Sequence, residues 1–211
     1  VVNAKPTITL SPAAKSVCSN GTTTFTSAAN GTSINYQWQV YSSTISDYTS
    51  ISNVAPYSNV NSPTLTITNP TSSYNGNLYR VIVSSGVSCG SPVTSTTATL
   101  TVSTVPSITV QPASSTTICE GASSTISLTA TGTGLTYTWQ DRTSGSGGTY
   151  SNTIATSAIS GVNSNTLTIT SAPSSVAKEY VVQVAGTCGT TSSTVASVAV
   201  TLLPRITVAP V

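Results

Sequence analysis

Short runs in which every second residue is apolar recur along the whole chain. "TLTIT" at Thr64–Thr68 puts Leu65 and Ile67 on one side and three Thr on the other. "YRVIV" from Tyr79 does the same with Tyr79, Val81 and Val83, and "YQWQV" from Tyr36 with Tyr36, Trp38 and Val40. A period of two is that of a β-strand with one buried face. The runs predict strands over 7–10, 22–27, 34–41, 64–68, 78–84 and 94–102, then over 107–110, 124–130, 135–141, 166–170, 179–185 and 194–202. Clusters of Ser, Asn, Gly and Pro separate them and read as turns. The inward set is Phe25, Tyr36, Trp38, Val40, Leu65, Ile67, Tyr79, Val81, Val83, Ala98, Leu100 and Val102 in the first half. In the second half it is Ile126, Leu128, Leu135, Tyr137, Trp139, Leu167, Ile169, Tyr180, Val182, Val184, Val198, Val200 and Leu202.

The two halves are copies. "YQWQ" at 36–39 returns as "YTWQ" at 137–140, and Cys18 returns as Cys119. "TLTIT" returns from Thr166, "YRVIV" as "YVVQV" from Tyr180, Cys89-Gly90 as Cys188-Gly189, and "ATLTV" as "SVAVTL" from Ser197. Six landmarks in one order at nearly constant spacing define a repeat of about 100 residues, a common domain size. About seven short strands with a Trp on the third form the pattern of an immunoglobulin-like sandwich. The expected fold is all-β: two tandem immunoglobulin-like β-sandwich domains of antiparallel strands, over 1–104 and 105–203. Residues 204–211, "PRITVAPV", resemble the strand that opens each copy. They are expected to be the first strand of a further repeat, or a strand donated to a neighbouring subunit. Trp38 and Trp139, with Tyr36, Tyr137, Tyr79 and Tyr180, are expected in the core, because a ligand contact need not be duplicated whereas a core must be.

Composition adds a surface to this core. Thr (41) and Ser (38) make up more than a third of the 211 residues, and only ten residues are charged, so the outer faces are covered by hydroxyls. The net charge of +2 is spread over Lys5, Lys15, Arg80, Arg142, Lys178 and Arg205, with no basic cluster for nucleic acid. No apolar run has the length of a membrane span. No signal peptide is read at Val1, where mature-type sequence has already begun.

Four cysteines in a chain without His point to disulfides and an oxidising compartment, since no C-x-x-C spacing suits zinc. Four Cys allow three pairings. Repeat symmetry selects Cys18–Cys89 and Cys119–Cys188, each tying the edge before the second strand to a later turn. Closing such a loop of 71 residues adds about 4 kcal/mol on the chain-entropy model.

Catalytic chemistry is not expected. Asp47, Glu120, Asp141 and Glu179 are scattered, and neither a His nor a G-x-S-x-G elbow is present for a nucleophile. No metal, cofactor or phosphate loop is expected. "SGSGG" at 144–148 reads as a hairpin tip. Asn20 and Asn30 match the glycosylation acceptor pattern, and the Thr-x-Thr runs suggest ice binding only on a flat array, which a twisted sandwich is not. Tyr41, Tyr57 and Tyr74 have no counterparts in the second copy and are the candidate ligand-binding residues, because exposed aromatics stack on sugars or anchor a protein partner.

The order C-x-x-G (18–21), Y-x-W-Q (36–39), T-L-T-I-T (64–68), N-G-x-x-Y-R-V (75–81), C-G (89–90) and A-T-L-T-V (98–102) resembles the Ig-like repeats of large secreted Bacteroidota proteins. That family includes cell-surface adhesins, gliding-motility adhesins and other type IX secretion cargo. The second copy lacks the N-G element before Tyr180. The resemblance implies an extracellular, cell-surface segment: a semi-rigid stalk of an adhesin or fibre, joined by the short linker "STVP". It also implies neighbouring repeats as partners, with a surface glycan or protein as a further one.

Overall fold

The computed structural model describes residues 2–42, 45–87 and 90–205. The chain divides into two units, Val1–Thr104 and Val105–Val211. The first contains β1 (Thr7–Leu10), β2 (Lys15–Cys18), β3 (Thr22–Thr26), β4 (Ala28–Asn30), β5 (Ile34–Ser42) and β6 (Asp47–Ser50). It continues with β7 (Tyr57–Ser58), β8 (Thr64–Thr68), β9 (Leu78–Ser85), β10 (Val93–Thr94) and β11 (Ala98–Ser103). The second contains β12 (Ser107–Val110), β13 (Ser115–Cys119), β14 (Ser124–Ser127), β15 (Thr129–Thr131), β16 (Thr136–Thr143) and β17 (Ser151–Asn152). It closes with β18 (Ile159–Ser160), β19 (Thr166–Ile169), β20 (Lys178–Gly186), β21 (Gly189–Ser192) and β22 (Ala196–Thr201).

Each unit is an immunoglobulin-like sandwich. In the first, a sheet ordered β2-β11-β9-β5-β6, with β10 also on β9, faces a sheet ordered β3-β8-β7. In the second, β13-β22-β20-β16-β17, with β21 on β20, faces β14-β19-β18. All pairings are antiparallel except β2 on β11 and β13 on β22. The Val-, Ile- and Thr-rich runs suit a pleated surface with one buried face.

The core of each unit is the predicted alternation made solid. Phe25, Trp38, Leu65, Ile67, Tyr79, Val81, Val83 and Leu100 are fully buried, with Ala98 and Val102 nearly so. Trp139, Leu167, Ile169, Tyr180, Val182 and Val184 fill the second unit, joined by Ile126, Leu128 and Val198. Tyr36 and Val40, and Leu135, Tyr137 and Val200, are half-buried and pack against these clusters from their margins. Leu202, expected inside, is 61% exposed. β22 ends at Thr201, so the alternation has no partner strand to carry it one residue further.

Both Trp residues are held by the same device. The backbone N–H of Trp38 donates to the Val60 carbonyl at 3.0 Å and its indole N–H to the Ser62 carbonyl at 2.9 Å. Trp139 repeats both bonds, to Val162 at 3.0 Å and Ser164 at 2.9 Å. The supporting turn is built alike. Ser62 Oγ lies 2.8 Å from the carbonyl oxygens of Asn59 and Thr64, and Ser164 Oγ lies 3.0 and 2.7 Å from those of Gly161 and Thr166. Asn59 (φ 61°) and Gly161 (φ 75°) take the left-handed conformation that this turn needs, which Asn and Gly tolerate best.

The cysteines correct the expected pairing. Cys18 ends β2 beside Ser103, and Cys119 ends β13 beside Thr201. Cys188 lies in the β20–β21 turn, at the other end of the sheet. β22 pairs Ser197 with Glu179, so Thr201 is four residues beyond that pair in one direction and Gly186 seven in the other. Eleven rises are roughly 30–40 Å, whereas bridged Cα atoms lie within about 7 Å. Accordingly Cys119 is a free, exposed thiol while Cys188 is disulfide-bonded, and the expected Cys119–Cys188 bond is not formed. Cys18 is disulfide-bonded as well. Its expected partner, Cys89, lies outside the described residues, as do residues 206–211 of the opening-strand motif. In the first unit Cys18 stands at the far end of the sheet from Ser85. The misreading began with β2 and β13, which the alternation did not reveal.

Candidate functional site

The three candidate tyrosines do not form one site. Tyr41 lies near the end of β5, paired in register with Tyr48 of β6, and the two rings meet edge-on at 5.4 Å. The Arg80 guanidinium, from β9, sits 3.8 Å from the centre of the Tyr48 ring. Its Nε donates to Gln39 Oε1 at 2.8 Å, which accounts for the burial of Gln39 on an otherwise outward face. A cation over an aromatic face is attracted by the ring quadrupole. Tyr48 escaped the sequence reading because "DYTS" is too short to show a period, and Arg80 was read there only as a scattered charge.

Tyr57 and Tyr74 come together on the opposite sheet. β7 carries Tyr57, and a single 3-10 turn at Ser72–Tyr74 carries Tyr74. Their rings meet edge-on at 6.1 Å, and the Tyr57 ring stands 6.1 Å from that of Tyr79. The Tyr57 and Tyr79 hydroxyls are 3.2 Å apart. Burial, and then the hydrogen bond to Tyr79, push the Tyr57 phenol far above its ordinary value, so it stays neutral. Burial raises Tyr79 too. Beside this pair lies a groove of about 500 Å³, lined by Pro56, Tyr57, Ser58, Thr68, Asn69 and Tyr74 among others. It offers an aromatic wall with hydroxyl and amide groups along it.

The second unit carries ions where the first carries rings. Arg142, at the register counterpart of Tyr41, bonds Glu179 Oε2 through Nε at 2.7 Å and lies 4.5 Å from the centre of the Tyr150 ring. The Gly145 N–H donates to Glu179 Oε1 at 3.1 Å. That backbone bond, followed by Arg142, holds the Glu179 carboxyl below its ordinary value. Lys178 Nζ bonds Asp141 Oδ1 at 2.6 Å. The sequence placed these acids apart, yet β16 and β20 set Arg142 opposite Glu179 and Asp141 opposite Tyr180. Each carboxylate is occupied by a cation. Glu179 is therefore biased away from the protonated form that a general acid needs. A second groove of about 580 Å³ runs past Asp141, Lys178, Ile154, Pro173 and Val176. Among the described residues no cluster of His, Cys, Asp and Glu could hold a metal ion, and no helix is long and apolar enough to cross a membrane.

Of the expected core residues, Trp38, Trp139, Tyr79 and Tyr180 are fully buried, and Tyr36 and Tyr137 are half-buried at the core margins. Tyr180 donates its hydroxyl to the Val176 carbonyl at 3.1 Å, four residues upstream, in the manner of a tyrosine corner. Tyr79, its counterpart, turns instead to Tyr57. The anchors Ser62 and Ser164 were missed by the sequence reading. The shared "NS-x-T-L-T-I-T" of 61–68 and 163–170 was the signal that contained them.

No family model and no curated protein matches the chain. Solved structures do. The I67–I69 fragment of the titin I-band is 16% identical, with a TM-score of 0.72 over 94% of this chain and 66% of that one. The structure of Sidekick-1 immunoglobulin domains 1–4 is 20% identical, with a TM-score of 0.70 over 94% of this chain and 49% of that one. Drosophila OTK extracellular domains 3–5 are 15% identical, with a TM-score of 0.62 over 93% of this chain and 62% of that one. This chain thus spans between about half and two thirds of the length of these structures. At such identities the likeness is one of fold, and the fold it shows is a tandem of immunoglobulin-like domains.

Proposed function

We propose that this chain is a structural segment of an extracellular, cell-surface adhesin or fibre, a stalk of immunoglobulin-like repeats without enzymatic activity. The observation that carries the reading is what the two units share. The Trp, its two hydrogen bonds, the Ser that shapes its turn and the parallel edge strand are duplicated. The surface groups are not: the first unit carries Tyr41, Tyr48 and Arg80 together, and the second carries the Arg142–Glu179 ion pair. A chain that repeats its scaffold and varies its surface suits a spacer whose neighbours are further repeats. Disulfide-bonded cysteines fit an oxidising compartment. The resemblance to Bacteroidota repeats supports a source in that group and export as type IX cargo of the gliding-adhesin kind. The test is antibody labelling of intact source cells with and without permeabilisation. Labelling of intact cells is expected, and labelling that needs permeabilisation would refute the assignment.

A second reading, in which the first unit binds a surface glycan or protein, draws on the Tyr57–Tyr74 groove. Its aromatic wall with Asn69 and Thr68 suits a sugar ring. Tyr41 belongs elsewhere, so the discriminating variant is Tyr74→Ser, which leaves the Tyr57–Tyr79 contact in place. Glycan-array binding that survives this change removes the groove as the site. The third reading, a polymerised filament joined by a donated strand over 204–211, predicts that a synthetic peptide of that sequence inhibits assembly.

A further inference from the structure

The outward face of the first unit's larger sheet carries a cation that no carboxylate neutralises. Arg80 projects from β9, with Gln39 and Tyr41 of β5 and Tyr48 and Ser50 of β6 on the same face. Its Nε donates to Gln39 Oε1 at 2.8 Å, and Gln39, only 8% exposed, reaches Ser50 Oγ through Nε2 at 3.5 Å. The Tyr48 ring holds the guanidinium at 3.8 Å from its centre. A buried amide and a ring thus fix a side chain that is ordinarily free to swing. What remains is a fork of two Nη groups with two N–H donors each. No ion pair among the described residues includes Arg80. The first unit has one acid, Asp47, against Lys5, Lys15 and Arg80. Asp47 alternates to the other face of β6, and its Oδ1 accepts the Tyr48 N–H at 2.6 Å. The second unit shows what such a platform takes. There Arg142, 4.5 Å from the centre of the Tyr150 ring, holds Glu179 Oε2 at 2.7 Å, and Asp141 and Glu120 have cations of their own.

We propose that Arg80, Tyr48 and Tyr41 form a binding site for a carboxylated sugar, of the uronic acid class, in an acidic polysaccharide. The Nη fork takes the sugar carboxylate in paired, charge-assisted hydrogen bonds, the place that Glu179 fills on Arg142. Tyr41, 37% exposed and edge-on to Tyr48 at 5.4 Å, offers its ring to the C–H face of the same sugar or the next. The two spacings keep Tyr41 and the guanidinium within reach of one disaccharide. The hydroxyls of Tyr41 and Ser50 serve the sugar's own hydroxyls as donors and acceptors. An acidic peptide would use the fork and leave Tyr41 idle, so the paired rings favour a sugar. Each contact on such an open face is weak. A polymer with a carboxylate on every sugar offsets this by raising the effective concentration. The site lies on the opposite sheet from the Tyr57–Tyr74 groove, and rests neither on that groove nor on the stalk reading.

The full chain is titrated with a trimer of galacturonic acid, followed by NMR through the amide resonances of Tyr41, Tyr48 and Arg80. The neutral galactose trimer, a sulfated galactose trimer and a tri-glutamate peptide are run in parallel. The galacturonate trimer should shift all three residues, and the neutral trimer none. Arg80→Gln should weaken binding about tenfold or more, since a charge-assisted pair is lost. Arg80→Lys should fall nearly as far, because an ammonium cannot meet a carboxylate with two parallel bonds. Tyr41→Ser leaves Arg80 and Gln39 in place and should cost about three- to tenfold. That variant keeps the test open should circular dichroism show Arg80→Gln misfolded. Tyr74→Ser should change nothing. A loss there, with Arg80→Gln binding normally, would hand the sugar to the other groove and overturn this site. A galacturonate trimer that shifts none of the three residues overturns it too, as does binding that survives Arg80→Gln in a folded chain. Equal binding of the sulfated trimer or of the peptide would mean a general attraction of anions and refute the sugar assignment.

Discussion

The two units solve the interior alike and the exterior differently. At the end of the third long strand the first unit sets Tyr41 against Tyr48 with Arg80 on the ring, and the second sets Arg142 against Glu179 and Tyr150. Both place an Arg over a Tyr, at 3.8 and 4.5 Å, yet the Arg comes from β9 in one and β16 in the other. One buried position departs from the shared interior: Tyr79 bonds a phenol and Tyr180 a backbone carbonyl. A buried position must satisfy many neighbours at once, so it resists change. An exposed one answers mainly to solvent and drifts.

The comparison breaks hardest at the Trp. Trp38→Ala or Trp139→Ala should each cost about 3–5 kcal/mol, read by calorimetry as lowered melting of the unit concerned. A loss confined to one of the two substitutions would show that the shared core is not equally needed. Next come Ser62→Ala and Ser164→Ala. Each removes the hydroxyl that ties the turn under the indole, with an expected loss of about 1–2 kcal/mol. Matching losses in denaturant titrations would confirm the common device.

Alkali should then separate the units. Burial raises Tyr57 and Tyr79 in the first and Tyr180 in the second. In the unfolded chain these phenols ionise near pH 10. Below that both states are protonated and stability is intact. Above it only the unfolded state loses protons, so stability falls. With two buried phenols against one, the first unit should weaken more steeply, and Tyr57→Phe should lessen the slope. Phenolate absorbance followed during alkaline unfolding measures this. The smallest effect belongs to Glu179→Gln, which breaks a half-buried surface pair that salt screens in part. Its contribution is present above the ordinary carboxylate value and fades as pH falls through the lowered one, by the opposite sign. An effect equal at low and high salt would contradict this assignment.

Much of this was legible beforehand, for a physical reason. Strands such as "TLTIT" are buried on one face, so the alternation writes Leu65 and Ile67 into the sequence. β2 and β13 are not written in that way. "KSVC" turns only Val17 towards the core and "STTIC" only Ile118, because these short edges are held chiefly by backbone bonds to β11 and β22. That silence hid the position of Cys119 beside Thr201, away from the Cys188 it was expected to bond. The Tyr57–Tyr74 contact was equally hidden, since the two are seventeen positions apart and Tyr74 sits in a 3-10 turn. Likewise the ion pairs depend on the register between β16 and β20, which no local pattern encodes.

The parallel edge strand has a mechanical consequence. Tension on a unit reaches β2 from the side of Lys15 and β11 from the side of Ser103. Because these strands run in the same direction, the load slides one along the other. The four register pairs from Lys15 to Cys18 must then yield together, where an antiparallel hairpin pulled open at its ends would unzip bond by bond. The second unit offers five such pairs, from Ser115 to Cys119. A polar strand that contributes little to the core thus becomes the catch that a pulled chain has to break.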